Sequence, residues 1–233
     1  MSFSILTTHV GSLPRSKELS ELLFAKDKKE SFNQETFNQV VQKNVEEVVK
    51  RQLQAGIDVI SDGEMSKISY ATYVKDRIKG FSGESERRAP ADLDAFPDYK
   101  MKIANSGGTP TYTRPCCTSE LEIQDEESLK TDIENFTKAL SANGHSKAFM
   151  NAASPGVINV FMPNKFYQND DEYLEKLSNI MSLEYKTITK NNLYLQLDCP
   201  DLALARHMNY KDLSDEDFLQ RAEKQIEALN HAL

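Results

Sequence analysis

Three short segments carry residue types suited to holding a zwitterion. They are Thr7-Thr8-His9-Val10-Gly11-Ser12-Leu13-Pro14-Arg15, Gly56-Ile57-Asp58-Val59-Ile60-Ser61-Asp62-Gly63-Glu64, and Leu193-Tyr194-Leu195-Gln196-Leu197-Asp198-Cys199-Pro200. Each runs from a β-capable stretch into a turn. Gly11 lets the backbone fold closely round a ligand, so the amide and hydroxyl of Ser12 could take a carboxylate. The carboxylates of Glu64 and Asp198 could take an ammonium. Each residue also has a plainer reading: Ser12 as a turn cap, Glu64 as a solvated turn acid, Asp198 as a helix cap or half of a core salt bridge. The three in order make the stronger case for a site. Around them, His9 is either a ligand contact or a hydrogen-bonded structural histidine. Tyr70 and Tyr73 either line the cleft or pack at helical spacing. Cys199 reads as a small buried residue and not a nucleophile, since no histidine lies near it in sequence to activate it.

Elements must bring these segments together, and the chain alternates strand and helix patterns. Ser4 to Thr8 is a short β-capable run, and Ser16 can cap a helix carrying Leu19, Leu22 and Leu23. Asn33 is an N-cap with Phe32 and Phe37 spaced as a hydrophobic staple, and Phe37, Val40, Val41, Val45, Val48, Val49 and Leu53 follow helical spacing to Gly56. Strands are expected at Ile57 to Ser61, Cys116 to Ile123, Lys147 to Ala153 and Leu193 to Leu197. Helices are expected around Leu129 to Leu140, from about Asp171 through Ile188, and from Phe218 through Leu229. From about Lys79 to Thr113, charge, Gly107-Gly108, Pro90, Pro97 and Pro110 predict an irregular excursion within a single domain spanning 1–233.

Composition narrows the class. The 233 residues are 39% hydrophobic, enough for one sizeable core. A net charge of -8 opposes nucleic-acid binding, which favours basic surfaces. No run approaches the roughly 20 apolar residues needed to cross a bilayer. Three cysteines, two of them adjacent, make no disulfide framework, and with no apolar signal core at Met1 the expected location is the cytoplasm.

Alternation with chemistry at strand ends favours a parallel α/β sheet, and the first turn is Gly-Ser-Leu-Pro-Arg rather than a dinucleotide fingerprint. The expected fold is therefore a (β/α)8 TIM-barrel, with about five of the eight βα units in this chain.

Four segments resemble the catalytic domain of the cobalamin-independent methionine synthases, in their stand-alone form. They are Thr7 to Arg15, Gly56 to Lys67 continuing through Tyr70, Tyr73 and Lys75 to Phe81, Ala153-Ser154-Pro155-Gly156, and Leu195 to Ala203; Glu184-Tyr185 fits the same pattern. The resemblance implies zinc-dependent transfer of a methyl group from methyltetrahydrofolate to the homocysteine thiol, the metal lowering the thiol pKa. It implies that Val10, Ser12, Glu64 and Asp198 bind the amino and carboxyl groups of homocysteine or methionine. It also offers Arg15, Lys75, Arg77 and Lys79 as attractors for the anionic folate tail, although such cations also form solvated faces or internal salt bridges.

One part of the family pattern is missing. Members hold zinc through His-x-Cys after the sixth strand, then a glutamate and a further cysteine, and no such ligands occur here. His9, His145, His207, His231 and the three cysteines make no ligand spacing. The expectation is thus a C-terminally incomplete, methionine-synthase-like domain that keeps the amino-acid site and is inactive alone. Its open sheet edges would be covered by self-association or a partner. The alternatives are a non-catalytic amino-acid-binding or subunit-assembly protein, and a thiol alkyltransferase of the same superfamily with another acceptor.

Overall fold

A computed structural model of the chain describes residues 5–86, 90–105 and 111–233. Along it run α1 (Lys17–Asp27), α2 (Gln34–Gln54), β1 (Ile60–Ser61), β2 (Ile78–Ser82), α3 (Pro97–Asn105) and β3 (Cys116–Ile123). There follow α4 (Glu127–Ala142), β4 (Ala148–Ala153), α5 (Pro155–Phe161), α6 (Asp170–Lys190), β5 (Tyr194–Asp198) and α7 (Asp215–Ala232). The fold is mixed α/β. β1, β4 and β5 form a parallel sheet in that order, and β2 pairs with β3 in a separate antiparallel sheet.

Local chemistry sets the helix starts. Side chains of Ser16, Asn33, Ser154, Asn169 and Ser214 each accept a backbone N–H three residues on, the N-cap bond worth about 1 kcal/mol per helix. The Phe32 and Phe37 rings meet edge to face at 5.8 Å, as the staple spacing predicts. After α2, Gly56 adopts φ +77°, where a side chain would be strained, and turns the chain toward β1. The buried amide of Gln52 on α2 then grips both backbone groups of Ser61, accepting from its N at 3.0 Å and donating to its O at 2.8 Å. Helix and strand end are thereby fixed relative to one another.

β4 lies between its two partners, and all six of its residues are buried. Ile60, Met150, Val49, Phe136, Leu177, Tyr185 and Ile188 belong to the one core cluster that joins sheet and helices.

Three expectations change. Ser4 lies outside the described residues, as do Gly107, Gly108 and Pro110; of the first run, residues 5–8 lie beside β1 without a regular ladder. The Thr7 carbonyl accepts from the Asp58 and Val59 amides at 3.2 and 3.0 Å, and the Asp58 carboxylate takes Thr7 N and Oγ1 at 2.7 and 2.9 Å. Cys116–Ile123 is a strand, but it belongs to the antiparallel pair, so the parallel sheet holds three strands among the described residues rather than five. Its partner β2 opens the segment read as irregular, which also carries a 3-10 turn at Ala91–Ala95 and α3. Periodicity sees a strand's own faces and not its partner, which is why these pairings were illegible.

Candidate functional site

The three sequence-selected residues meet. Ser12 Oγ donates to Glu64 Oε2 at 2.5 Å. The side-chain amide of Asn151 donates to Glu64 Oε1 at 2.7 Å and to Asp198 Oδ2 at 2.8 Å. Ser12, Glu64 and Asp198 line one open cavity of about 490 Å³ together with Val10, Gly11, Tyr70, Gln196, Leu197, Cys199 and Pro200.

Each arrives from a different element. Glu64 follows β1 in a turn where Gly63 has φ +67° and Glu64 itself φ +57°. A non-glycine residue in that region is uncommon and is held by its surroundings. Here the holders are explicit: Glu64 N donates to Asp62 Oδ1 at 3.0 Å, and Leu13 N donates to the Gly63 carbonyl at 3.2 Å. A Cβ at Gly63 would come within 3.2 Å of Val48 and 3.3 Å of Leu13, so the turn is also closely packed. Asp198 ends β5, its carbonyl accepting from Ser154 N at 3.2 Å. Asn151 is the centre of β4 and is 3% exposed.

Arg15 does not line the cavity. Its guanidinium donates to the carbonyls of Glu64 at 2.8 Å and Lys67 at 2.7 Å and to Ser12 Oγ at 3.3 Å, fastening the first turn to the second. Burial lowers its pKa, opposed by Glu64 and Asp62. Tyr70 does line the cavity, packs edge to face on Phe161 at 5.6 Å, and has its hydroxyl pushed up to about 12 by burial. Tyr73 lies elsewhere: it is 3% exposed, and its hydroxyl donates to Glu184 at 2.5 Å. The packing reading of Tyr73 holds, because Arg77 and Glu184 surround it. His9 stands beside the Ser12 turn, outside the cavity lining, and its Nε2 has no hydrogen-bond partner.

The other cations are committed to carboxylates. Lys75 pairs with Asp27 at 3.0 Å and Asp76 at 2.9 Å. Arg77 is buried between Asp132 at 2.6 Å and Glu184 at 3.1 Å, and Lys79 pairs with Glu122 at 3.6 Å. The internal ion-pair reading describes Lys75 and Arg77, and the solvated-face reading describes Lys79. Asp62, fully buried near Lys67, Glu64 and Arg77, is held above the usual carboxylate range, chiefly by burial.

Two residues of this site escaped the sequence reading. Asn151 had a signal: a lone amide inside an otherwise apolar strand must find partners when buried. Lys67, 2% exposed, sends its Nζ to the Asn151 carbonyl at 2.5 Å and over the Tyr73 ring at 4.4 Å. Nothing in its local sequence marks it as buried.

The side chains of the described residues do not fit a zinc ion. Among the described residues no three His, Cys, Asp or Glu side chains converge as a metal-holding group. Burial raises the Cys199 thiol, and raises Cys117 to about 11, opposing the thiolate that zinc requires. His145 and His231 are turned to Lys147 O and Asn179 Oδ1, both at 3.0 Å.

The chain is similar to known proteins in sequence and in fold. Residues 5–89 match the family described as cobalamin-independent synthase, catalytic domain. The methionine synthase of Saccharolobus solfataricus is 26% identical over 212 residues, covering 89% of this chain and 55% of that protein. That of Sulfolobus acidocaldarius is 25% identical over 195 residues, covering 83% and 51%. The solved B12-independent methionine synthase from Shewanella sp. W3-18-1, in complex with selenomethionine, superposes with a TM-score of 0.67 at 16% identity, over 97% of this chain and 57% of that one. The chain is thus similar to cobalamin-independent methionine synthases, with the catalytic-domain match falling on residues 5–89, and it spans about half the length of the curated relatives it matches.

Proposed function

We propose that this chain is a methionine-synthase-like unit that binds an α-amino acid of the homocysteine or methionine type. The observation that carries the reading is the bonded series Ser12, Glu64, Asn151, Asp198, drawn from four separate segments, with Ser12, Glu64 and Asp198 lining one cavity. The backbone amides at Val10, Gly11 and Ser12 would receive the carboxylate, and Glu64 and Asp198 the ammonium. The half-apolar wall of Tyr70, Leu197, Cys199 and Pro200 would take a thioether or thiol side chain. The selenomethionine held by the Shewanella relative supports the same ligand class.

The parallel strands β1, β4 and β5, with residues 5–8 beside β1, fit part of a (β/α)8 barrel. In the complete relatives the implied reaction is zinc-dependent methyl transfer from methyltetrahydrofolate to homocysteine. With no zinc-fitting donor group among the described residues, the chain alone is read as a binder without methyl transfer. The second reading, an amino-acid-binding or assembly subunit, is favoured by that same donor chemistry. A thiol alkyltransferase acting on another acceptor would need the same metal donors. Cytoplasmic location and self-association through the open edge of β5 complete the reading. No helix among the described residues is long and apolar enough to cross a membrane.

Calorimetry with methionine and homocysteine tests it. Micromolar to millimolar binding by the wild type, weakened about 10-fold or more by Glu64→Gln or Asp198→Asn, is expected, since a buried charge-assisted bond is worth about 1.5–3 kcal/mol. Absence of binding by the wild type overturns the reading. Methionine formation from homocysteine and methyltetrahydrofolate by this chain with added zinc overturns the non-catalytic half of it.

A further inference from the structure

Asn151 is held from behind and spends its donors in front. Lys67 fixes its carbonyl at 2.5 Å, the β4 ladder fixes its backbone between β1 and β5, and its one NH2 group serves two carboxylates at 2.7 and 2.8 Å. We propose that Asn151 is the positioning residue that joins Glu64 and Asp198 into a single two-carboxylate clamp, selecting ligands that carry a primary ammonium. This rests on the amino-acid reading above and assigns the source of its selectivity.

Two neighbouring carboxylates repel, and each would gain by taking a proton or swinging away. A lysine or arginine between them would hold them in place but cancel their charge. A neutral amide with two N–H groups orients both and cancels nothing. The remaining lone pairs then face the cavity with their charge intact, and an ammonium with three N–H donors is the matching partner. A ligand without that group would meet two uncompensated acids.

The groups that face the pair are few. Around Glu64 stand Ser12, Asp62, Arg15 and Lys67, and around Asp198 stand Tyr70 and Cys199. Arg15 bonds the backbone of Glu64, and Lys67 bonds the backbone of Asn151, so neither replaces the amide.

The test uses the full chain with Asn151→Leu, which removes both donors at similar length, and Asn151→Thr, whose strand-compatible hydroxyl can serve one carboxylate only. Carbon-13 NMR titration of labelled Glu and Asp side chains reads the clamp without any ligand. The midpoint for the first proton taken up by the pair should rise by about one pH unit in N151L and by less in N151T. Calorimetry reads selectivity: methionine should bind N151L about 10-fold more weakly, while 4-(methylthio)butanoate, which is methionine without its amino group, binds both proteins alike. Should N151L fail to fold, the N151T titration decides. Unchanged titration overturns the inference, and so does equal loss of both ligands. If the titration moves but the wild type binds no methionine, the clamp stands and the amino-acid reading fails.

Discussion

Asp201 sits so close to the first turn of α5 that Gly156 has no room for a side chain. A Cβ at Gly156 would collide with Asp201 Oδ2 and come within 2.8 Å of its Cγ and 3.1 Å of Gln225 Cβ. The carboxylate is held there by Ser154 Oγ at 2.9 Å, the same hydroxyl that caps α5. Gly156→Ala should therefore destabilise by about 2–3 kcal/mol, despite alanine's better helix propensity, because three packed elements must move apart. Urea unfolding measures this; a stabilised variant would show that the segment after β5 moves aside freely.

The same carboxylate gives a pH dependence with a definite sign. Burial raises the Asp201 pKa, against the lowering effect of Ser154. The folded state then holds its proton at pH values where the unfolded chain, at about 3.9, has lost it. Stability from this group is fully present below the unfolded value and is lost as pH rises through the higher folded value. Asp201→Asn should be more stable than the wild type at pH 7, with the advantage gone near pH 3. Thermal melts of both proteins across that range are the check, and an advantage that grows toward acid contradicts the sign.

Arg77 is the centre of the other buried network. Its guanidinium answers Asp132 and Glu184, Ser66 bonds Asp132 at 2.8 Å, and Tyr73 bonds Glu184. Arg77→Met leaves two buried acids without a cation and should cost about 3–5 kcal/mol. Replacing the Lys79 partner, exposed on the surface with Glu122, should change stability by less than about 1 kcal/mol. Denaturation midpoints of the two variants separate these cases directly.

α7 carries apolar residues on its exposed side as well as on the side that meets the core. Leu219, Ile226 and Leu233, spaced seven residues apart, are 61%, 42% and 62% exposed, while the buried residues of the helix are Gln225 and Ala232. Both polar atoms of the Gln225 side chain lack a hydrogen-bond partner. If self-association covers this stripe, Leu219→Glu with Ile226→Glu should shift the protein toward monomer in sedimentation velocity without lowering its melting temperature. A wild type that is monomeric at all concentrations removes this surface from consideration.

Local chemistry made much of this molecule readable. Asn33, the Phe32 and Phe37 pair and the valine spacing of α2 predicted that helix from cap to Gly56, and the turn residues Ser12, Glu64 and Asp198 proved to share a cavity. What stayed hidden depends on partners distant in sequence. Cys116–Ile123 has strand character in either sheet, and only its pairing with Ile78–Ser82 makes it antiparallel. Likewise Lys67 and Asn151, 84 positions apart, carry no mark of each other in the residues beside them. The cations from Lys75 to Lys79 show the same limit, since their charge was visible and their acidic partners were not.

The anionic character of the Glu64 and Asp198 pair has a practical corollary. Amine buffers such as Tris present the protonated nitrogen that these oxygens are arranged to receive, and at tens of millimolar they would compete with a weakly held amino acid. Titrations in phosphate should accordingly report tighter apparent constants than those in Tris at equal ionic strength.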